Sequence, residues 1–327
     1  MESVILYLDK PTRAIEKGLS KLCPPKMTVK FLEPVSGPAG TVEEADFILV
    51  AAYPVDEKLL NRAGKVKLIQ KTGTGYENID VSKAAERGIP VATTPGANAI
   101  AVAELVILYI LALYRKLVHL DKTTKEGKWE MWKHRHVSFE LYGKRLGIIG
   151  MGQIGRALAE RAIAFGVHVD YYDIVRLSPE VEGKLGVTYR EFEVLLEHSD
   201  IISIHVPYNE QTKGLIGKEE LAKMKKTAIL VNTARGAVVD QEALVEALQE
   251  KQLAGAALDV YDREPPEAGS PILRLNNVIT TPHIGAGTLD TWLRVISMSM
   301  ENVERVAKGQ SPLHVVNGVT SSFSSPA

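Results

Sequence analysis

Six residues, Gly150-Met151-Gly152-Gln153-Ile154-Gly155, constrain this chain more than any others. They separate the apolar run Leu146–Ile149 from a helical stretch running from Arg156 to Phe165. A second apolar run, Val167–Tyr172, follows and ends in Asp173. Strand, glycine turn, helix, strand and acid form the layout of a dinucleotide-binding unit. Gly150 allows the tight turn, Gly152 lets the backbone approach a pyrophosphate, and Gly155 lets helix and strand pack closely. Amides at Gln153 and Ile154, with the positive helix end, attract phosphates. Asp173 lies 18 positions past Gly155, where a carboxylate accepts bonds from an adenosine ribose. It also repels a 2′-phosphate, so NAD is the expected cofactor rather than NADP. Arg176, three residues on, is expected to be a solvated loop charge.

The 327 residues suit two α/β domains rather than one core. At 45% hydrophobic, 24% charged and a net charge of −1, bulk charge favours neither nucleic acid nor an anionic membrane. A single cysteine, Cys23, excludes an internal disulfide and a cysteine cluster for zinc, which suits a reducing, cytoplasmic setting. The first apolar run, Val4–Leu8, is too short for a signal peptide. Ala99–Tyr114 is strongly apolar but spans 16 residues, about 24 Å as a helix, and carries Glu104. It reads as a buried interdomain or intersubunit helix.

Strands are expected at Val4–Leu8, Val29–Leu32, Phe47–Ala51, Leu68–Lys71 and Val91–Thr93 in the first half. The second half offers Leu146–Ile149, Val167–Tyr172, Ile201–His205, Ala228–Asn232, Gly255–Asp259 and Asn277–Thr280. Helical patterns fall at Thr41–Glu44, Val81–Arg87, Arg190–His198, Lys218–Met224, Gln241–Glu250 (after an Asp240 N-cap) and Thr288–Lys308. Short β-branched runs between helical patterns imply parallel sheets. His314–Val316 is expected to return to the first half as a strand, and Thr320–Ala327 to be disordered. The fold class is α/β, with two doubly wound Rossmann-like domains and a cleft between them. Residues 1–98 plus 287–327 form a discontinuous, flavodoxin-like substrate domain, and residues 99–286 the NAD-binding domain.

Three chemically useful residues follow expected strand ends: Arg235, Glu264 and His283. Ligands of open α/β sheets bind at such ends, so neighbouring strands would bring the three together. Hydride removal from a 2-hydroxy acid requires loss of the hydroxyl proton, which an imidazole accepts near neutral pH. A guanidinium holds the substrate carboxylate with paired donors and polarises the keto oxygen. A carboxylate orients the imidazole and stabilises its protonated form. His283, Arg235 and Glu264 fit these three parts.

With these motifs in view, the chain resembles the NAD-dependent D-2-hydroxyacid dehydrogenases, including phosphoglycerate dehydrogenase and glyoxylate/hydroxypyruvate reductase members. The matching segments are GMGQIG, Asn232-Thr233-Ala234-Arg235-Gly236, Asp259 to Pro265 (DVYDREP) and Pro282-His283-Ile284-Gly285. The resemblance runs from about Val4 to Val316. It implies Arg235, Glu264 and His283 as the catalytic set, and action on the D enantiomer. It places Thr233, Ala234, Arg235, Asp259, His283, Gly285 and Ala286 around the nicotinamide, Val206 and Pro207 on the adenine side, and Val102 near the pyrophosphate. It also implies a substrate loop at Lys71–Asp80, where Thr74 and Gly75 turn amides toward an anion; Lys71 is either a contact for a distal anion or a solvated loop lysine. Asn98 is either a substrate contact or the cap of the following helix.

The chain departs from these relatives at two places. Ala51 stands where phosphoglycerate dehydrogenases tend to carry a basic residue, and Trp292 where glyoxylate and hydroxypyruvate reductases often carry arginine. The indole is read either as a wall of a more apolar substrate pocket or as packing within the first domain. The segment Trp129–His136 is either a solvated loop or an arm reaching a partner subunit of a homodimer, with Trp132, Lys133, His134 and Arg135 bordering the neighbour's pocket. No metal site is expected, since His134 and His136 alternate without a carboxylate or thiol. The expected partners are a small 2-hydroxy or 2-keto acid and a second copy of the chain, with no nucleic acid and no membrane. The alternatives are an NAD-sensing corepressor-like interaction protein and a formate dehydrogenase. Glu264 argues against the latter, which usually pairs its histidine with glutamine.

Overall fold

The computed structural model describes residues 2–320, and the chain divides into two compact units, residues 1–98 with 289–327 and residues 99–288. The expectation about the C-terminal tail lies outside the described residues, apart from Thr320.

The first unit runs β1 (Ser3–Tyr7), α1 (Arg13–Leu22), β2 (Met27–Phe31), β3 (Phe47–Val50), α2 (Glu57–Arg62), β4 (Leu68–Lys71), α3 (Val81–Glu86) and β5 (Val91–Ala92). Its five strands are parallel in the order β2-β1-β3-β4-β5, the flavodoxin-like doubly wound order. β3 and β4 are buried at every position, so their sequences are short continuous runs without alternation. Thr41–Glu44, expected to be helix-compatible, closes only a 3-10 turn at Val42–Glu44.

The second unit begins with α4 (Ala99–Tyr114) and α5 (Leu117–Lys125). It continues β6 (Arg145–Ile149), α6 (Gln153–Ala164), β7 (His168–Tyr172), α7 (Pro179–Leu185), β8 (Val187–Tyr189), α8 (Phe192–His198) and β9 (Ile201–Ile204). It ends with α9 (Lys218–Lys223), β10 (Ile229–Asn232), α10 (Gln241–Gln249), β11 (Gly255–Leu258) and β12 (Val278–Thr280). Seven parallel strands take the order β12-β11-β10-β9-β6-β7-β8, so the winding reverses between β6 and β9. A ligand crevice opens at such a reversal, at the carboxyl ends of the strands. β8 and α7, absent from the sequence reading, are the short pieces at that sheet edge.

α4 has the bounds its apolar run suggested, and it is a core helix. Ala103, Val106 and Ile110 are buried with Leu158, Ala159 and Ala162 of α6 and with Ile148 of β6. Among the described residues no helix is long and apolar enough to cross a membrane. Asp240 caps α10 as expected, accepting from the Ala243 amide at 3.0 Å.

The chain returns to the first unit as α11 (Leu289–Ala307). Val295, Ile296, Met300 and Val303 bury into the core with Ile5, Phe47 and Leu68. His314–Val316 does return to the sheet, but as one antiparallel bridge, Val315 opposite Ala92. Thr93 N–H donates to His314 O at 3.1 Å and Val316 N–H to Val91 O at 2.9 Å. Asn302, 2% exposed, fastens this return. Its Nδ2 donates to Gln70 Oε1 at 2.8 Å and to Leu313 O at 3.1 Å, and its Oδ1 accepts from Leu313 N–H at 2.7 Å. Asn302→Ala leaves these buried groups without partners and is expected to cost about 2–3 kcal/mol, read as a lower urea midpoint at an unchanged slope.

Candidate active site

Parallel pairing in the second unit aligns one row across six strands: Tyr172, Ile149, Ile204, Asn232, Leu258 and Thr280. The residues that follow them are Asp173, Gly150, His205, Thr233, Asp259 and Thr281. The candidate cofactor and catalytic segments therefore start from one line along the carboxyl edge of the sheet. Convergence of Arg235, Glu264 and His283 requires neighbouring strands, and β10, β11 and β12 are neighbours.

On the β6 side, Gly150 has φ +97°, and its α-carbon faces the His205–Val206 backbone too closely for any side chain. A Cβ on Gly155 would overlap the Gly150 carbonyl, whereas one on Gly152 would meet open space. α6 begins at Gln153, not Arg156, because Gly152 is its N-cap and brings no side chain to the first amides. Asp173 is fixed at the end of β7, accepting from Met151 N–H at 2.7 Å and Val175 N–H at 3.1 Å. Arg176 is committed elsewhere: it forks onto Glu182 at 2.8 and 3.1 Å and stacks on the Tyr189 ring. Ile174 and Val175 stand exposed beside Asp173, an apolar surface that the sequence reading did not single out.

These features fit NAD. Gly152 leaves room at the N-terminus of α6, and Thr233 Oγ1 is a buried hydroxyl with no hydrogen-bond partner among the described residues. His205 was also missed as an individual residue. Its Nε2 meets Ser203 Oγ at 2.8 Å, its Nδ1 is shut from solvent without a partner, and burial pushes the ring down to about 3. The ring is thus neutral at physiological pH.

His283 Nδ1 and Glu264 Oε2 are 2.7 Å apart, while Glu264 Oε1 accepts from Tyr261 N–H at 3.1 Å. His283 sits at φ +55°, a conformation that non-glycine residues seldom take. Asp259, 1% exposed, holds it there. Its Oδ1 accepts from Ile284 N–H at 2.8 Å and Thr281 Oγ1 at 2.5 Å, and its Oδ2 from Gly285 N–H at 2.7 Å. The Asp259 carbonyl accepts from His283 N–H at 2.9 Å, and Tyr109 bonds both Thr281 and Asp259. A residue that the resemblance placed beside the nicotinamide therefore spends its carboxylate shaping the His283 loop.

Arg235 follows Asn232, whose Oδ1 accepts from Ala234 N–H at 3.0 Å and whose Nδ2 donates to Arg235 O at 2.9 Å. Its guanidinium donates to Ala234 O at 2.7 Å. Gly236 packs directly on the Tyr261–Asp262 peptide, with no space for a Cβ. This contact presses the Arg235 loop against the loop carrying Glu264. Gly285 is likewise enclosed by Asp259 and Val102. Val206 is half-buried, and Pro207 and Ala286 are exposed.

The substrate residues of the first unit are placed differently. Lys71 is buried, and its ammonium donates to Ala51 O and to Asn78 Oδ1 at 2.7 Å. Thr74 is exposed and Gly75 half-buried, and neither Gly73 nor Gly75 has a positive φ. Asn98 is half-buried just before α4. Trp292 packs its indole against Gly18 of α1 at the margin of the first unit's core, which is the packing alternative.

Residues 107–285 match the family described as "D-isomer specific 2-hydroxyacid dehydrogenase, NAD binding domain". The chain belongs to the D-isomer-specific 2-hydroxyacid dehydrogenases. It is 41% identical over 308 residues to a glyoxylate reductase of Thermococcus litoralis, covering 89% of this chain and 92% of that one. A hydroxypyruvate reductase of Thermotoga maritima is 43% identical over 270 residues, 82% of this chain and 85% of that one. The crystal structure of an Aquifex aeolicus D-lactate dehydrogenase complexed with NAD and lactic acid superposes with a TM-score of 0.79 at 30% identity, over 96% of this chain and 99% of that one. As a 2-hydroxyacid dehydrogenase the chain is an NAD-dependent oxidoreductase acting on a CH–OH group.

The glycine after Arg235 gives a direct test of how this dehydrogenase builds its site. Gly236→Ala is expected to cost about 1–3 kcal/mol, because the clash is with backbone and not with a movable side chain. Activity should fall with it, and urea unfolding alongside steady-state rates checks both.

Proposed function

We propose that this dehydrogenase interconverts a D-2-hydroxy acid and its 2-keto acid, with His283 as the acid–base group, Glu264 as its partner and Arg235 as the carboxylate clamp. The observation that carries the reading is the 2.7 Å His283–Glu264 contact on the loop that Asp259 fixes, in the same strand-end row as the glycine turn. NAD, when bound, supplies the hydride acceptor or donor at C2. The residues do the rest. The imidazole Nε2, opposite the nitrogen that meets Glu264, takes the hydroxyl proton in oxidation and returns it to the keto oxygen in reduction. Glu264 holds the ring in one orientation through its contact with Nδ1. Arg235 offers paired donors to the substrate carboxylate. Gly150, Gly152, Gln153, Ile154 and Gly155 would cradle the pyrophosphate with Val102 nearby, Asp173 the ribose, and Val206 and Pro207 the adenine. Thr233, Ala234, Asp259, Gly285 and Ala286 would surround the nicotinamide.

The likeness to a glyoxylate reductase and a hydroxypyruvate reductase makes glyoxylate and hydroxypyruvate the first substrates to try. Trp292 does not oppose them, since its indole has a packing role against α1. Lys71 orders the loop that begins at Thr72 through Asn78, leaving Thr74 and Gly75 as that loop's candidates for an anion. Exposed Trp129, Met131, Trp132 and Tyr142 support a homodimer, and the single cysteine supports a reducing, cytoplasmic setting.

His283→Ala is expected to lower kcat roughly 10²–10⁴-fold with a much smaller change in KM. Following NADH absorbance against a panel of 2-keto acids checks this, and near-normal turnover in the variant sinks the assignment. Because Asp173 is fixed and Arg176 is engaged, kcat/KM with NADH should exceed that with NADPH by roughly tenfold or more. A preference for NADPH would overturn the cofactor reading.

A further inference from the structure

A second cluster lies away from the catalytic row, where α5 meets the turns that follow it. His119 comes from α5, and Glu130 and His134 lie four positions apart in the segment beyond. His119 Nε2 is 2.9 Å from Glu130 Oε2, and His134 Nε2 is 2.9 Å from the same oxygen. The two rings meet edge to face at 80°, with centroids 4.9 Å apart. The three donor atoms all fall within 4.8 Å of one another. The Glu130 side chain is 12% exposed and those of His134 and His119 are 24% and 47%, so the cluster is anchored on a covered carboxylate and open on one side. His134 pairs with Glu130 and His119 rather than with His136, its neighbour in the sequence motif. The fold thus brings a carboxylate and a second imidazole to His134, against the expectation of no metal-ligating cluster there.

We propose that His119, Glu130 and His134 form a binding site for a borderline divalent cation, zinc in the first instance. Two imidazoles converging on one carboxylate oxygen give the N2O donor set such ions take. Zn–N and Zn–O bonds of about 2.0–2.2 Å place tetrahedral donors about 3.3 Å apart, so each imidazole nitrogen lies within a few tenths of an ångström of the separation from Glu130 Oε2 that the ion requires. Each ligating imidazole then carries its proton on Nδ1, and the remaining position is open for water. Lys133 donates to Glu130 Oε1 at 2.6 Å, the oxygen the histidines do not use. It orients the carboxylate from behind, as the outer partners of metal-bound carboxylates do. Nitrogen donors disfavour magnesium and calcium. The bound ion would fasten the 130–134 turn to α5, independently of the proposed reaction.

The test uses the full chain, stripped with a chelator, dialysed against zinc chloride and assayed for zinc per chain by elemental analysis and by competition with a chromogenic chelator. Wild type should hold one zinc per chain. His283→Gln should hold it equally, and the His119→Gln/His134→Gln double variant should lose it, with at least tenfold weaker competition. Retention by the double variant, loss in His283→Gln, or no stoichiometric binding by wild type overturns the site. Should the double variant not fold, Glu130→Gln decides by the same readout. Cobalt(II) offers a second measurement: visible bands of a four- or five-coordinate ion are expected with wild type, and only the spectrum of the hexaaqua ion would count against it.

Discussion

In-register parallel pairing is the constraint from which the second unit's chemistry follows. Six of the seven strands each contribute one residue to the row from Tyr172 to Thr280, and the chain leaves the sheet immediately beyond it. Segments as distant in sequence as Gly150 and Thr281 thus start from the same edge. A one-residue slip of any strand would move its functional residue about 3.3 Å along the strand, out of the row, and turn it to the other face. The fully buried strands β9, β10 and β11 resist such slips, because a shift would expose or void their packed side chains on both faces.

Beyond the row, polar fastening takes over from sheet pairing. Asp259 gathers the Ile284 and Gly285 amides and the Thr281 hydroxyl, and so maintains a histidine in an unfavourable backbone conformation. Backbone strain of this kind persists only where surrounding bonds over-determine it. Gly236 does the complementary work through an absence: without a side chain, the Arg235 loop lies flat on the Tyr261–Asp262 peptide. One loop is held by what a residue accepts and the other by what a residue omits.

The legible parts were those whose signal is local. β4 and α4 have the bounds their apolar runs suggested, and the glycine turn sits where its spacing put it. The short edge pieces α7 and β8 were not legible, since three to seven residues carry too little periodicity. The jobs of Asp259 and Lys71 were not legible either. Each depends on which backbone groups the fold delivers: the loop amides after Pro282 for one, Ala51 O and Asn78 for the other. His119, Glu130 and His134 escaped for a similar reason, because a helix and a turn must fold back before the three meet. Trp292 was chemically ambiguous in sequence, and only its neighbour Gly18, 274 positions away, distinguishes packing from lining.

The engagement of Arg176 with Glu182 and Tyr189 has an evolutionary consequence. A positive group suited to a ribose phosphate already lies three residues from Asp173, yet it is tethered to an acid and a ring. Under the proposed role of Asp173 at the ribose, replacing it alone would remove a repulsion without releasing an attraction, and altering Glu182 alone would free a cation while the carboxylate three residues away remains. The two changes are worth more together than apart, an epistatic pair. A drifting lineage would therefore meet a valley between the two coenzyme preferences rather than a slope.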